Sequence, residues 1–161
     1  MPDATVVAPR LVFQFEISIS GPSGTLAAAL CHGVQLPKDS VMAVEHSAGG
    51  MTHVIKTAGG MESYEDIVLE KIQPVDAEDN WAYDWLKAAC DPETMVIGFP
   101  EDYKRNVIIA ELDGQGNVIP ESTYEYEGCW VREVEYSKHD AMEKGTKKIE
   151  TVLLAPDRRV D

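Results

Sequence analysis

Long apolar runs, clusters of basic residues and paired cysteines are all missing or scarce in this sequence. No apolar run in the 161 residues approaches the roughly 18 residues that cross a bilayer. Residues 1–10 lack the charged start and long apolar core of a secretory signal. The cysteines Cys31, Cys90 and Cys129 are odd in number and widely spaced, which argues against a disulfide framework and suits a reducing compartment. The sequence therefore predicts no membrane contact and folding in a cytoplasm.

Basic residues are outnumbered two to one. Fourteen Lys and Arg face 28 Asp and Glu, so the formal net charge is −14. Binding a phosphate backbone requires clustered Lys and Arg, and conventional nucleic-acid binding is therefore disfavoured. The acids concentrate in residues 62–84, where Lys71 is the one basic residue. Such a stretch is ordinarily a solvated face that aids solubility, and the alternative is a surface that repels DNA.

Signals of catalysis or metal binding are equally scarce. Neither a Gly-x-Ser-x-Gly elbow nor a phosphate-binding glycine motif is present. The four histidines show none of the spacings with Cys or carboxylate that recur in zinc sites; they are His32, His46, His53 and His139. The sequence therefore predicts no enzyme, no cofactor and no metal site, which favours a structural role.

In the first half of the chain, apolar and polar residues alternate over residues 11–20, which predicts a half-buried strand. A glycine-rich turn at 21–24 follows, and we expect 25–36 to return as a second strand rather than a short helix. No regular structure is predicted with any clarity over 37–60, which contains two Gly-Gly pairs. Residues 64–72 again predict a strand.

One helix is predicted after Pro74. Asp76 can cap its first turn, and Asp79 lies three residues further on. Trp81 and Trp85 are one turn apart on an apolar stripe, which is typical of an anchor onto a sheet. An Asp-Pro pair at 91–92 ends the helix.

The second half predicts a hairpin made of a strand at 106–112, turn residues at 113–116 and a returning strand. Residues 123–136 alternate between aromatic and acidic side chains, and 149–154 form the last strand. The predicted class is mostly β (α+β), an antiparallel β-sandwich or barrel with one flanking helix. We expect a single domain over 1–161, with flexible termini at 1–9 and 156–161.

From Glu45 onward, the order of these motifs resembles one known family. The motifs follow one another in this order: an acidic residue before a Gly-Gly pair, a short strand, a second strand, a helix with a tryptophan, a hairpin, and a last strand with a basic tail. They occupy residues 45–50, 53–59, 64–71, 79–86, 105–113 and 149–158. This order is similar to that of the tail-tube proteins of contractile phage tails and related contractile injection systems.

The resemblance implies hexameric rings that stack into the hollow inner tube of a contractile tail. Each subunit would lend strands to a shared barrel, which leaves no exposed sheet edge. The implied partners are further copies of this chain, the sheath protein, and the baseplate and tail-terminator proteins, with DNA or protein cargo passing through unbound. The particle would be a virion tail or an injection particle, assembled in the cytoplasm of a bacterial host. In the family, a long early loop contacts the neighbouring ring, and here it includes Glu45, His46, Gly49 and Gly50.

An acidic bore would let a polyanion slide without sticking. The candidate carboxylates that would line it are Glu65, Glu70, Glu125, Glu127, Glu133 and Glu135. Since a strand exposes every second residue to one face, one parity of each set can face the bore. Two alternatives remain open, namely the tube of an extracellular injection system carrying protein cargo and a small-ligand-binding β-barrel. Rings or filaments at high concentration would favour a tube, whereas a ligand-binding barrel should stay monomeric or dimeric.

Overall fold

A computed structural model describes residues 15–21, 24–27, 31–50, 52–61, 63–72, 81–137, 139, 142 and 149–160. Within these ranges the chain forms ten β-strands and two short helices. In chain order they are β1 Phe15–Gly21, β2 Gly24–Ala27, β3 Cys31–Gln35, β4 Val41–His46, β5 Ile55–Met61, β6 Ile67–Ile72, α1 Trp81–Ala89, α2 Pro100–Tyr103, β7 Arg105–Leu112, β8 Val118–Tyr136, β9 Ile149–Ala155 and β10 Arg158–Val160. The predicted class, mostly β and antiparallel with a flanking helix, is confirmed.

The 19-residue strand β8 joins two sheets. Its first part lies between β7 and β10, and β1 and β2 continue that sheet beyond β7. Its last part pairs with β9, and β6 and β3 continue the second sheet beyond β9. Every strand pair described is antiparallel. The strand order is therefore β2-β1-β7-β8-β9-β6-β3, with β10 alongside β8.

One apolar core lies between the two sheets. The inner face of the first sheet supplies Ile17, Ile19, Val107, Ile109 and Tyr126, and that of the second supplies Ile67, Leu69, Val131, Val152 and Leu154. Phe15, Ile17 and Ile19 face the core, and Glu16, Ser18 and Ser20 alternate with them as predicted. Burying each large aliphatic side chain stabilises the fold by about 1.5–3 kcal/mol relative to exposure.

Helix α1 closes one side of this core. Its Trp85 is 2% exposed, and its indole Nε1 donates a hydrogen bond to the carbonyl oxygen of Tyr103 at 2.5 Å. The Arg105 guanidinium lies 5.1 Å from the Trp85 ring, in cation–π contact. The anchoring role predicted for this tryptophan therefore agrees with the structure, whereas the helix start with Asp76 and Asp79 lies outside the described residues. Helix α2 has no counterpart in the sequence prediction.

The single alternation predicted for 123–136 is wrong. Tyr126 faces the core, but so do Cys129 and Val131, which have the opposite parity. Gly128 has φ +67° within the strand, and the register with β9 shifts again between Val131 and Glu133. Each irregularity inserts a residue and turns the following side chains to the other face.

Asp157, the residue before the C-terminal strand, explains why residue 128 is a glycine. A Cβ atom at Gly128 would lie 2.1 Å from the Asp157 Oδ2. The Asp157 amide donates to the Glu127 carbonyl oxygen at 3.0 Å, and its carboxylate binds Lys104 Nζ at 2.6 Å. Residues 156–161 were expected to be a flexible tail; instead, Arg158–Val160 form β10 against β8.

Two further predictions need correction in the first half of the chain. Residues 25–36 were expected to form one strand, but they contain β2 in the first sheet and β3 in the second. No regular structure was predicted with any clarity over 37–60, but β4 and β5 pair there as an antiparallel hairpin. The short strand that the family resemblance placed at 53–59 overlaps β5. Every residue of β4 is exposed, so no apolar alternation marked it as a strand.

Candidate functional site: assembly surfaces and acidic faces

The β4–β5 hairpin projects from the sandwich as a sheet of its own. Its register pairs Val44 with Thr57 and Glu45 with Lys56, and it shifts once between Met42 and Ala43. The Lys56 Nζ lies 3.3 Å from the Glu45 Oε1, with both side chains more than half exposed. Such an exposed pair contributes at most about 1 kcal/mol. An isolated two-stranded hairpin is only marginally stable in water, and within the described residues β4 and β5 pair only with each other.

The four residues expected at a ring junction lie together at one end of this hairpin. Glu45 and His46 end β4, and Gly49 and Gly50 form the turn that follows, where Gly50 has φ +86°. All four are exposed. The structure therefore brings the predicted group together, although on a hairpin end rather than in an irregular loop.

The six predicted bore carboxylates do not form one group. Glu125 and Glu127 lie on the outer face of the first sheet, opposite in parity to the buried Tyr126. Glu125 pairs in register with Ile108 on one side and Val160 on the other. The Arg158 Nε donates to the Glu127 Oε2 at 2.6 Å, and this hydrogen bond and charge raise the Arg158 pKa. Part of the negative charge on this face is therefore compensated.

A second acidic face lies on the outer side of the β6–β9–β8 sheet. In register, Thr151 is flanked by Glu70 and Glu135, and Leu153 is flanked by Val68 and Glu133. All three glutamates are exposed. Two strand spacings separate Glu70 from Glu135 by about 10 Å, a distance at which repulsion in water is only about 0.4 kcal/mol. The face can therefore keep its charge at little cost in stability.

Glu65 belongs to neither face. It precedes β6 in the extended segment 63–66 and is exposed, while its neighbour Asp66 forms an ion pair with Arg132. Because the inner sides of both sheets meet in one core, their outer faces point away from it on different sides. The set Glu125, Glu127, Glu133 and Glu135, grouped by parity in the sequence, is thus split between two surfaces.

Sequence reasoning missed a buried ion pair below the start of α1. The Lys71 Nζ lies 3.8 Å from the Glu150 Oε2, with side chains 1% and 0% exposed. The same ammonium lies 4.9 Å from the Trp81 ring centroid. The alternation along β6 could have predicted the burial of Lys71, since this residue shares its face of the strand with the buried Ile67 and Leu69. Burial, with the Glu150 charge next, raises the pKa of the nearby Tyr136.

The described residues offer little to a ligand. No group of three or more His, Cys, Asp and Glu among them could hold a metal ion. A pocket at the β3–β6 edge, lined by Gly33, Gln35 and Glu70 among others, has a volume of about 180 Å³. Small-molecule sites are typically about 300–1,000 Å³. Among the described helices, none has the length and apolar composition to cross a membrane.

This antiparallel fold with a flanking helix is similar to that of chains in solved contractile injection systems. A chain of the PVC sheath–tube complex, from an extracellular contractile injection system in its extended state, has a TM-score of 0.71 at 18% identity, covering 94% of this chain and 90% of that one. A chain of the anti-feeding prophage baseplate has a TM-score of 0.74 at 14% identity, covering 96% of each. An Hcp protein is more distant, with a TM-score of 0.51 at 9% identity and 88% coverage of both.

The family follows from the sequence itself. Residues 11–158 match the family model described as T4-like virus tail tube protein gp19. The chain belongs to this family, and it is a tail tube protein of a phage tail or a contractile injection system. A comparison with curated proteins gave no significant match.

Proposed function

We propose that the chain forms hexameric rings that stack into the inner tube of a contractile phage tail, and that DNA passes through the bore. The family match over 11–158 carries the proposal, and the fold similarity over nearly the whole chain supports it. The tube would contact the sheath protein along its length and the baseplate and terminator proteins at its ends. It would assemble in the cytoplasm of a bacterial host and remain in the virion tail.

Electron microscopy of the purified, concentrated protein tests the assembly. Rings with six subunits, or tubes built from them, are the expected result. A protein that remains monomeric or dimeric at every concentration would contradict the proposal and favour a ligand-binding barrel. A tube carrying protein rather than DNA is the second candidate, and analysis of the contents of native particles separates the two.

The hairpin end with Glu45, His46, Gly49 and Gly50 would contact the neighbouring ring. The full exposure of β4 and the marginal stability of an isolated hairpin support this role. Amide hydrogen exchange on the free subunit and on the assembled tube tests it. We expect residues 41–61 to be protected only in the tube, and equal protection in both states would count against the contact.

At most one of the two acidic faces would line a single bore, and the other would face the sheath or solvent. Two double variants, Glu125→Lys/Glu127→Lys and Glu133→Lys/Glu135→Lys, test the two faces. Each is the matched control for the other, because both make the same change in charge. Lysines in the bore would bind passing phosphates, so one variant should assemble tubes but slow DNA ejection. Normal ejection by both would show that charge in the bore does not govern transit.

A further inference from the structure

The segment that joins α1 to α2 exposes four apolar side chains to solvent. Met95, Val96, Ile97 and Phe99 are 75%, 62%, 75% and 71% exposed. They follow one another in sequence and carry no charge between them. We call residues 95–99 the apolar loop. Scattered apolar residues are normal on a surface, but a contiguous set of this kind marks an interaction site.

Backbone hydrogen bonds tie the apolar loop to the end of α1 and to Asp91. The Met95 amide donates to the Asp91 carbonyl oxygen at 2.8 Å, and the Asp91 amide donates to that of Val96 at 3.1 Å. The Gly98 amide donates to the Ala89 carbonyl oxygen at 3.0 Å, and a Cβ at Gly98 would lie 2.2 Å from the Ala88 carbonyl oxygen.

Met95 itself has φ +57°, in the left-handed region that is unfavourable for a non-glycine residue. Because the hydrogen bonds described above already order this loop in the free subunit, less conformational entropy is lost when a partner binds.

A different apolar surface lies on one face of the β4–β5 hairpin. Alternation along the strands puts Met42, Val44 and Ile55 on this face together with His46 and Thr57, and it puts the Glu45–Lys56 pair and Val41 on the other. Met42 and Val44 are 49% and 45% exposed. The chain thus carries two separate apolar surfaces, and contact between unlike surfaces of identical subunits can repeat from copy to copy.

Because the chain is a tail tube protein, the partner considered for these surfaces is another copy of itself, and its charge restricts where two copies can meet. At a net charge of −14, two copies repel each other unless they meet through surfaces with no acidic excess. The apolar loop itself has no charged residue, although the exposed acids Glu93, Glu101 and Asp102 flank it, and the one acid and one base of the hairpin strands form an ion pair. These surfaces are therefore suited to contact between copies.

We propose that the apolar loop of one subunit packs against the Met42, Val44 and Ile55 face of the hairpin of a second copy. The proposal rests on the proposed function, because a repeating contact of this kind is what stacked rings require. In this contact, the hairpin of one copy packs against the apolar loop of the other.

Cross-linking with a short thiol-reactive reagent tests the contact in the full chain. All variants carry Cys90→Ser, because Cys90 is partly exposed and bridges to Ile97. A mixture of Val44→Cys and Ile97→Cys subunits should give covalent dimers, whereas either variant alone should not. Ala43→Cys is the matched control, since Ala43 is the exposed neighbour on the opposite face of β4. Equal dimer formation with Ala43→Cys, or none with Val44→Cys, would overturn the proposal.

A charge placed in the loop gives a second, independent measurement. Ile97→Asp should raise the protein concentration needed for assembly by about tenfold or more, because a buried carboxylate is costly. Val118→Asp is the control, since Val118 is an exposed apolar residue at the start of β8. Unfolding curves of both variants establish that the subunit still folds. Assembly of Ile97→Asp at the wild-type concentration would overturn the proposal.

These results separate the contact from the proposed function. Tubes that form without the Val44–Ile97 cross-link would refute only the contact, and another partner, such as a sheath subunit, would then cover the loop. A cross-link in small oligomers that never form rings would support the contact and refute the tube. A protein that neither assembles nor cross-links would refute both.

Discussion

Removing one charge of the buried Lys71–Glu150 pair should destabilise the subunit strongly. At 3.8 Å the two charges attract by about 4 kcal/mol with an effective dielectric constant of about 20. Lys71→Met leaves the Glu150 carboxylate, which is 0% exposed, without the lysine ammonium. We expect a loss of about 3–5 kcal/mol in the free energy of unfolding.

The double variant Lys71→Met/Glu150→Leu should recover this loss. Apolar side chains of similar volume avoid the desolvation of both charges, so the outcome should lie between no change and a gain of about 1–4 kcal/mol over wild type. Urea unfolding of the unassembled subunit measures all three free energies.

Lys56→Met is the matched control. It breaks the pair with Glu45 on the exposed hairpin, where Lys56 is 66% exposed, and it should cost less than about 1 kcal/mol. The reasoning fails if Lys71→Met costs as little as Lys56→Met. It also fails if the two buried changes add, since additivity would mean that the charges are not coupled.

The remaining predictions concern the core. Trp85→Ala should lower the free energy of unfolding by about 3–5 kcal/mol, because the ring is 2% exposed; in urea unfolding, a loss below about 1 kcal/mol would show that α1 is only docked on the surface. Burial raises the pKa of the Cys129 thiol to about 12 from 9.0. Its contribution to stability is therefore complete below pH 9 and is lost as the pH rises towards 12. At pH 8, alkylation of Cys129, read by mass spectrometry, should require unfolding, and rapid labelling of the native subunit would contradict this.

Several elements follow from local sequence alone, because their signals lie within a few residues. The alternation around Ile17 and Ile19 predicts β1, and the turn residues 113–116 predict the β7–β8 hairpin. The spacing of Trp81 and Trp85 predicts α1. The sequence also determines the net charge of −14 and the family to which the chain belongs. It brought together Glu45, His46, Gly49 and Gly50 as one candidate contact, since they are neighbours in the chain.

Other features depend on partners far away in sequence. At Gly128 the alternation along β8 reverses, so that the next odd-numbered residues, Cys129 and Val131, face the core. There, Asp157 of the C-terminal segment occupies the space that a Cβ would need. Lys71 is buried because Glu150 lies opposite it on β9. The β4–β5 hairpin has no alternation to reveal it, since β4 is exposed throughout. Only the tertiary structure decided that the acidic residues lie on two faces, because a strand pattern records alternation but not the bulges that reverse it.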